Sequence, residues 1–584
     1  MILQALNDYY WRKQADPDIH NRLPAYGLEE KEIPFVIEID GAGRLVNLSD
    51  TRSIQGKKKI GQRFLVPQGI KKTSGVAANL LWDTAEYVLG IDIRGKPERV
   101  AEQHTQFRSR IAGLPSSALK DDSIQAVLAF LDNLDLASLA TNSCWQEILT
   151  TNPLMTFRVI PDLNLVCQHS AVIALAANEG DVETARSGCL ITGERVEIER
   201  LHTAIKGVWG AQTSGANIVS FNLDAFSSYG KTKGDNAPVG KPAAFAYTTA
   251  LNHLLDRTSR QRVQVGDAST VFWAEHPHDL ETMIPDLFGE PPKDDPDRGT
   301  AALKAIYTAV HTGKFNVGDA QDRFHVLGLA PNAARISIRF WETAPAADLA
   351  RRIHRHFECL KIARGPNDPI HLSLFRLLTG CAVQGKADNI PPNLGGEVMR
   401  AILEDLPYPA TLLSAAVQRC RAEQRVTYAR AALIKGWLNR SIQYQNQAHP
   451  ETEFLPMLDP ENPNAAYRLG RLFATLEKIQ EEASPGLNAT IRDRYYGAAS
   501  GTPVSVFPSL LRLKNHHVGK LNAGRAVQME RLLGEIMGGL TDFPRNLPLP
   551  EQGRFALGYY HQRQAFFTKS EQQPEAANEK EQPQ

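Results

Sequence analysis

The chain has 584 residues, 42% hydrophobic and 22% charged, a composition that supports a sizeable core and more than one domain. Lys plus Arg and Asp plus Glu each number 65, so the formal net charge is zero; a nucleic-acid groove, if present, must be local or shared with basic partners. Six scattered cysteines (Cys144, Cys167, Cys189, Cys359, Cys381 and Cys420) form no CxxC pair, which argues against a zinc ribbon and for reduced thiols in a cytosolic protein. The N-terminal stretch lacks an apolar run of signal-peptide length and no segment reaches transmembrane length, so the expected location is cytoplasmic, with no membrane association.

Residues 1–14 have helical spacing, with Ile2, Leu3, Leu6 and Tyr10 near one face. Residues 33–48 read as a β-hairpin turning at Asp40-Gly41-Ala42-Gly43. A basic loop, Gly56-Lys57-Lys58-Lys59, precedes a strand at 63–67, and a second basic loop follows at 69–75. The stretch 97–150 is rich in Ala and Leu and reads as helical, and strands are expected at 156–160, 217–221 and 335–341. From 342 onward helices dominate: 346–364, 371–381, 395–405, 411–422 and 426–447. A Pro-rich, acidic linker at 448–463 leads to further helices at 464–484, 487–496, 506–513 and 522–539. The expected fold class is α+β. A mixed α/β lobe with short strands and β-hairpins spans 1–341, a helical connecting region 342–456 and a helical bundle 457–570. The tail, 571–584, has almost no apolar content and is expected to be disordered.

The densest unusual stretch is 202–250, which alternates glycines with small polar residues. Gln212, Thr213, Ser214, Asn217, Asn222 and Asn236 have the chemistry to read base edges or bind sugar and phosphate, and Lys206, Lys231 and Lys233 add charge; ordinary turns would look the same. Its GVWGAQTSGA segment is not a P-loop, because no Gly-Lys-Ser/Thr follows the glycines. The loop Lys71-Lys72-Thr73-Ser74-Gly75 offers two ammonium groups and two hydroxyls to a phosphate or groove, or is simply solvated. His276, His278 and Asp279 suggest a phosphohydrolase metal site, but further ligands are lacking in the sequence around them. Residues 492–563 carry ten basic and five acidic side chains. Arg492, Arg494, Arg512, Lys514, Lys520 and Arg525 interleave with Tyr495, Tyr496, Tyr559 and Tyr560, a pattern suited to single-stranded nucleic acid unless the aromatics are core. No cofactor is expected.

Several ordered blocks resemble the large-subunit family of the subtype I-C CRISPR Cascade complex, the Csd family. They are MILQALNDYY, Asn79-Leu80-Leu81-Trp82-Asp83 with Tyr87-Val88-Leu89-Gly90, Cys189 to Glu194, and KGVWGAQTSGANIVSFN over 206–222. Ser228 to Lys231, Asn236-Ala237-Pro238, Ala243 to Tyr247, Tyr408-Pro409, Tyr428-Ala429-Arg430 and Tyr467 to Leu472 extend the likeness over all but the tail. The resemblance implies a non-enzymatic subunit that sits at the 5′ end of the CRISPR RNA beside the backbone and 5′-handle subunits. It recognises the PAM, the short motif flanking the target in double-stranded DNA. It also helps open the duplex, binds the displaced strand and docks a separate helicase-nuclease. On this reading Lys71, Lys72, Thr73, Ser74, Asn79, Gln212, Thr213, Ser214, Lys231 and Asn236 lie near the PAM within 1–341. Arg492, Arg494, Arg512, Lys514, Lys520 and Arg525 then track the displaced strand from a small-subunit-like bundle. The family also implies an internal translation start giving a free C-terminal small subunit, for which Met457 is the candidate. The alternatives are a metal-dependent nuclease and an assembly scaffold without DNA contact.

Overall fold

The computed structural model describes residues 1–56, 58–70, 75–178, 186–445 and 452–567. The chain divides into two compact units: Met1–Ile205 with Ala216–His253, and Lys206–Gly215 with the chain from Leu254 onward. The class is α+β, with strands concentrated in the first 345 residues and helices in the remainder.

The first unit is built on a four-stranded mixed sheet. Phe35–Ile39 pairs antiparallel with Leu45–Asp50 and parallel with Leu154–Val159, which in turn pairs antiparallel with Trp82–Thr84. The hairpin between the first two strands turns at Asp40, whose carboxylate accepts the Ala42 and Arg44 amides, and at Gly43, whose φ of +78° suits a residue without Cβ. Parallel neighbours require a long crossover. It contains the helices Pro97–Ala112 and Asp122–Asp132, which place Phe107 and Phe130 against Phe157 of the sheet. A separate two-stranded ribbon joins Leu28–Ile33 to Gln62–Pro67. Helix Ile2–Gln14 meets helix Lys241–Leu254 through Tyr10 and Phe245, ring centroids 5.9 Å apart.

The second unit starts from an antiparallel sheet in simple meander order: Arg262–Val265, Ala268–Ala274, Arg323–Asn332 and Arg335–Pro345. Its core is continuous with that of the helices that follow, running from Val263 through Ile353, Leu413 and Ile434 to Phe473 and Tyr560. Residues 342–456 and the block after 457 therefore share one apolar interior with the sheet. Helix Ala465–Ala483 crosses Leu549–Ala565 closely, where Gly470 and Gly558 let the two backbones touch.

One expected feature differs, and one helix goes beyond the expectations. Residues 217–221 form no extended strand: Ala216 makes a single bridge to Ile205, and the Asn217 amide donates to the His202 carbonyl. The helix Leu549–Ala565 is an element that the amphipathic pattern does not reveal. The Lys57 position and the tail 571–584 lie outside the described residues.

Candidate nucleic-acid interface

Lys71, Lys72, Thr73 and Ser74 lie outside the described residues; the chain on either side of them is firmly anchored. The Gly69 amide donates to Glu29 Oε1 at 2.7 Å and the Ile70 amide to Asn79 Oδ1 at 3.0 Å. Trp82 Nε1 donates to the Pro67 carbonyl, and the Asn79 amide to Asp83 Oδ2. Asn79 thus holds the backbone at Ile70: it is 6% exposed and its carbonyl oxygen accepts that amide.

Lys231 and Asn236 belong to the same unit, on a loop running from Leu223 to Asn236. Asn236 holds this loop together. Its Oδ1 accepts the Ser228 amide at 3.0 Å, and its Nδ2 donates to the Lys231 and Lys233 carbonyls at 3.3 and 3.1 Å. Asn236 is therefore a brace, while Lys231 and Lys233 are exposed.

Gln212, Thr213 and Ser214 fall in the other compact unit. They form the exposed tip of a loop that the bridge between Ile205 and Ala216 closes. The loop is seated by the Trp209 amide donating to Ser269 Oγ at 2.9 Å and by Gly207, whose missing Cβ allows the Leu255 carbonyl to approach. Trp209 itself stays 54% exposed beside that polar tip, a surface aromatic that the sequence reading did not single out.

The C-terminal cations separate into two groups. Arg525 makes a bidentate pair with Glu482 at 2.7 and 2.8 Å, and that pairing holds the Glu482 carboxyl below its usual range. Lys514 meets Glu530 at 2.7 Å. Arg492 faces the fully buried carboxylate of Glu477 at 3.7 Å; burial acts against its charge, and Glu477 together with Tyr559 and Asp493 more than offsets that. These three are engaged within the fold. Arg494, Arg512 and Lys520 are exposed. The tyrosines do not alternate with them on the surface: Tyr496, Tyr559 and Tyr560 are buried, so their aromatic character belongs to the core. Burial, followed by Glu477, raises the Tyr559 phenol well above its usual range.

The His-Asp pair is structural as well. His278 is buried, its Nδ1 accepts the Leu280 amide, and burial lowers its pKa below 6.5. Asp279 Oδ2 accepts the Asn316 and Val317 amides, while His276 turns to Asp322 at 2.9 Å. Among the described residues no group of three or more His, Cys, Asp or Glu side chains is arranged to hold a metal ion. No described helix is long and apolar enough to cross a membrane.

What the arrangement provides is a set of braced loops and exposed cations on two units. No curated protein matches the chain. The family model for the CRISPR-associated protein Cas_Csd1 matches residues 6–567, nearly the whole chain, and the protein therefore belongs to the Cas_Csd1 family of CRISPR-associated proteins.

Proposed function

We propose that this chain is the large subunit of a type I-C, RNA-guided surveillance complex, and that it binds DNA without cutting it. The observation that carries this reading is the Cas_Csd1 match over residues 6–567. In such a complex guide pairing reads the target, so the protein need read only the flanking PAM and the shape of the duplex. The composition of the basic segment Lys71-Lys72-Thr73-Ser74 suits phosphate contact, and the Gln212-Thr213-Ser214 tip suits a groove edge. PAM binding promotes duplex opening and R-loop formation. Arg494, Arg512 and Lys520 then attract the displaced strand, and the bound subunit supports arrival of the helicase-nuclease. The guide RNA and the backbone and 5′-handle subunits complete the assembly in the cytoplasm. Translation from Met457 adds a separate small subunit of 128 residues.

The test uses the reconstituted complex with guide RNA and labelled duplexes that carry or lack the flanking motif. Neutralising a phosphate-contacting lysine weakens all duplexes alike and lowers the salt slope by about one. Losing a base-edge contact changes motif preference by roughly 1–3 kcal/mol. A Lys71→Ala/Lys72→Ala/Gln212→Ala complex with wild-type affinity and preference would show that these loops do not read the DNA. Cleavage by the isolated chain that disappears in His278→Ala or Asp279→Ala would replace the binding role with a nuclease.

A further inference from the structure

Tyr229 is 98% exposed, and it stands in the left-handed region at φ +52°. Bulky side chains avoid that conformation, and such strain persists only where the surrounding structure enforces it. Here the enforcement is visible. Asn236 ties the Ser228 amide and the Lys231 and Lys233 carbonyls into one knot, and the Lys231 amide closes a turn onto the Ser228 carbonyl at 3.0 Å. Gly234 anchors the base of the loop: it is buried, and a Cβ there would lie 3.0 Å from the Arg200 Cα. Between Ser227 and Lys233 every side chain is exposed, and none is acidic. Among the described residues neither Lys231 nor Lys233 has an acidic partner. Folding gains nothing from this ring, since a glycine would fill the position without strain or exposed apolar surface.

We infer that Tyr229 is a base-stacking residue, packing its ring on a nucleobase exposed where the DNA duplex opens, with Lys231 and Lys233 on the flanking phosphates. The inference rests on the proposed DNA-binding role and adds to it a specific contact. An exposed aromatic ring followed by two cations on the same loop matches a base with its neighbouring phosphates, because every base offers a π-face and the backbone repeats its charge along the strand. A protein partner would have to meet two ammonium groups beside the same ring, which the phosphate backbone does by its own chemistry.

The experiment uses the assembled complex with a target duplex carrying 2-aminopurine next to the flanking motif. Opening is followed by fluorescence and binding by anisotropy. Tyr229→Ala and Tyr229→Gly should each weaken opening by about tenfold, within the range expected for loss of one base–aromatic stack. Tyr229→Phe should stay near wild type. Tyr229→Gly should melt no lower than wild type, since glycine accepts this φ, so a loss of opening in that variant is not a loss of fold. Lys231→Ala/Lys233→Ala should reduce the salt slope by about two. Wild-type opening in both Tyr229→Ala and Tyr229→Gly overturns the inference. So does a variant that enters the complex less readily but opens DNA normally once assembled, which would assign the ring to a protein contact. A wild-type complex that fails to open the duplex at all overturns the functional reading itself.

Discussion

Replacing Gly558 with alanine tests whether the C-terminal helices are held by direct backbone contact. A Cβ at 558 would overlap the Tyr467 carbonyl oxygen and lie 2.8 Å from its carbon and 3.0 Å from its Cα. At Gly470 a Cβ would overlap the Phe555 carbonyl oxygen and lie 2.7 Å from the Tyr559 nitrogen. These neighbours are backbone, so no rotamer change relieves them; the helices must separate. Separation loosens Phe473, whose ring sits 6.0 Å from both Phe555 and Tyr559. Overpacking of this kind costs about 1–3 kcal/mol or more, against a gain of about 1 kcal/mol from replacing glycine within a helix. The expected net loss is about 2 kcal/mol for Gly558→Ala, and the double variant with Gly470→Ala should lose less than the sum, because one separation relieves both clashes. Gly534, inside the helix Ala523–Met537, is the control: a Cβ there meets nothing within 4 Å, so Gly534→Ala should stabilise by up to about 1 kcal/mol. Native-state hydrogen exchange over 465–483 and 549–565 isolates the local effect in a chain of two units, where one global unfolding transition is not assured. Gly558→Ala protecting these amides as well as Gly534→Ala does would refute the contact argument.

Glu477 should be the most sensitive buried charge in the second unit. It accepts the Tyr559 hydroxyl at 2.6 Å and the Thr490 hydroxyl at 2.9 Å and faces Arg492 and Arg563, so Glu477→Gln leaves the guanidinium groups undercompensated and should cost about 3 kcal/mol in thermal or urea unfolding. Acid should also destabilise this unit. Burial lowers the pKa of His561 from 6.5 to about 3 and that of His371 to about 4, so the unfolded chain takes up protons first. The stability these neutral rings provide is present above pH 6.5 and falls as pH drops toward about 4 for His371 and about 3 for His561, by about 2 kcal/mol per ring at pH 5; melting at pH 7.5 and pH 5, with His561→Gln for comparison, measures it.

The elements legible in the sequence are those with a surface. The Asp40 turn and the helix Ala346–Leu360 each present one wet face and one dry face, and the apolar pattern shows them. Ala268–Ala274 is buried at every position, so its residues show no alternation to separate a strand from a buried helix, and the sheet it organises stays hidden. Leu549–Ala565 is dry around most of its circumference from Phe555 to Gln562 and carries Gly553 and Gly558, so neither periodicity nor propensity announces a helix. The candidate interface is legible as composition but not as roles. Asn79, Asn217 and Asn236 have the chemistry to read bases, yet each binds the chain's own backbone; sequence gives the donors and acceptors without their partners. Arg525 pairs with a carboxylate 43 positions away, a distance no local charge pattern reveals. Tyr229 lay in plain sight within a recognised block, but its meaning comes from the exposure and the φ that only the fold supplies.

The continuous core of the second unit sharpens the expectation for Met457. This residue is 65% exposed and precedes the helix Ala465–Ala483, so a chain beginning there keeps the glycine-mediated helix pair and the Glu477 network intact. It loses what covers the other side of Leu549–Ala565. In the full chain Gly553 packs on Leu413 and Ile434, the Tyr560 hydroxyl donates to the Ala363 carbonyl, and Arg421 reaches Gln552. The 128-residue product therefore exposes a strip around Gly553, Leu557 and Tyr560 that needs another surface, supplied by a neighbouring subunit or a second copy. Two outcomes follow. Changing Met457 to a non-start residue should remove a species of that length from the purified complex, as read by mass spectrometry. The isolated product should be helical, yet self-associate or bind an apolar dye more than the full chain does, and Tyr560→Glu should reduce the self-association. Persistence of the short species after the change at Met457 refutes the start. A product that is monomeric and binds no dye refutes the shared-core argument, and the bundle would then be a domain in its own right.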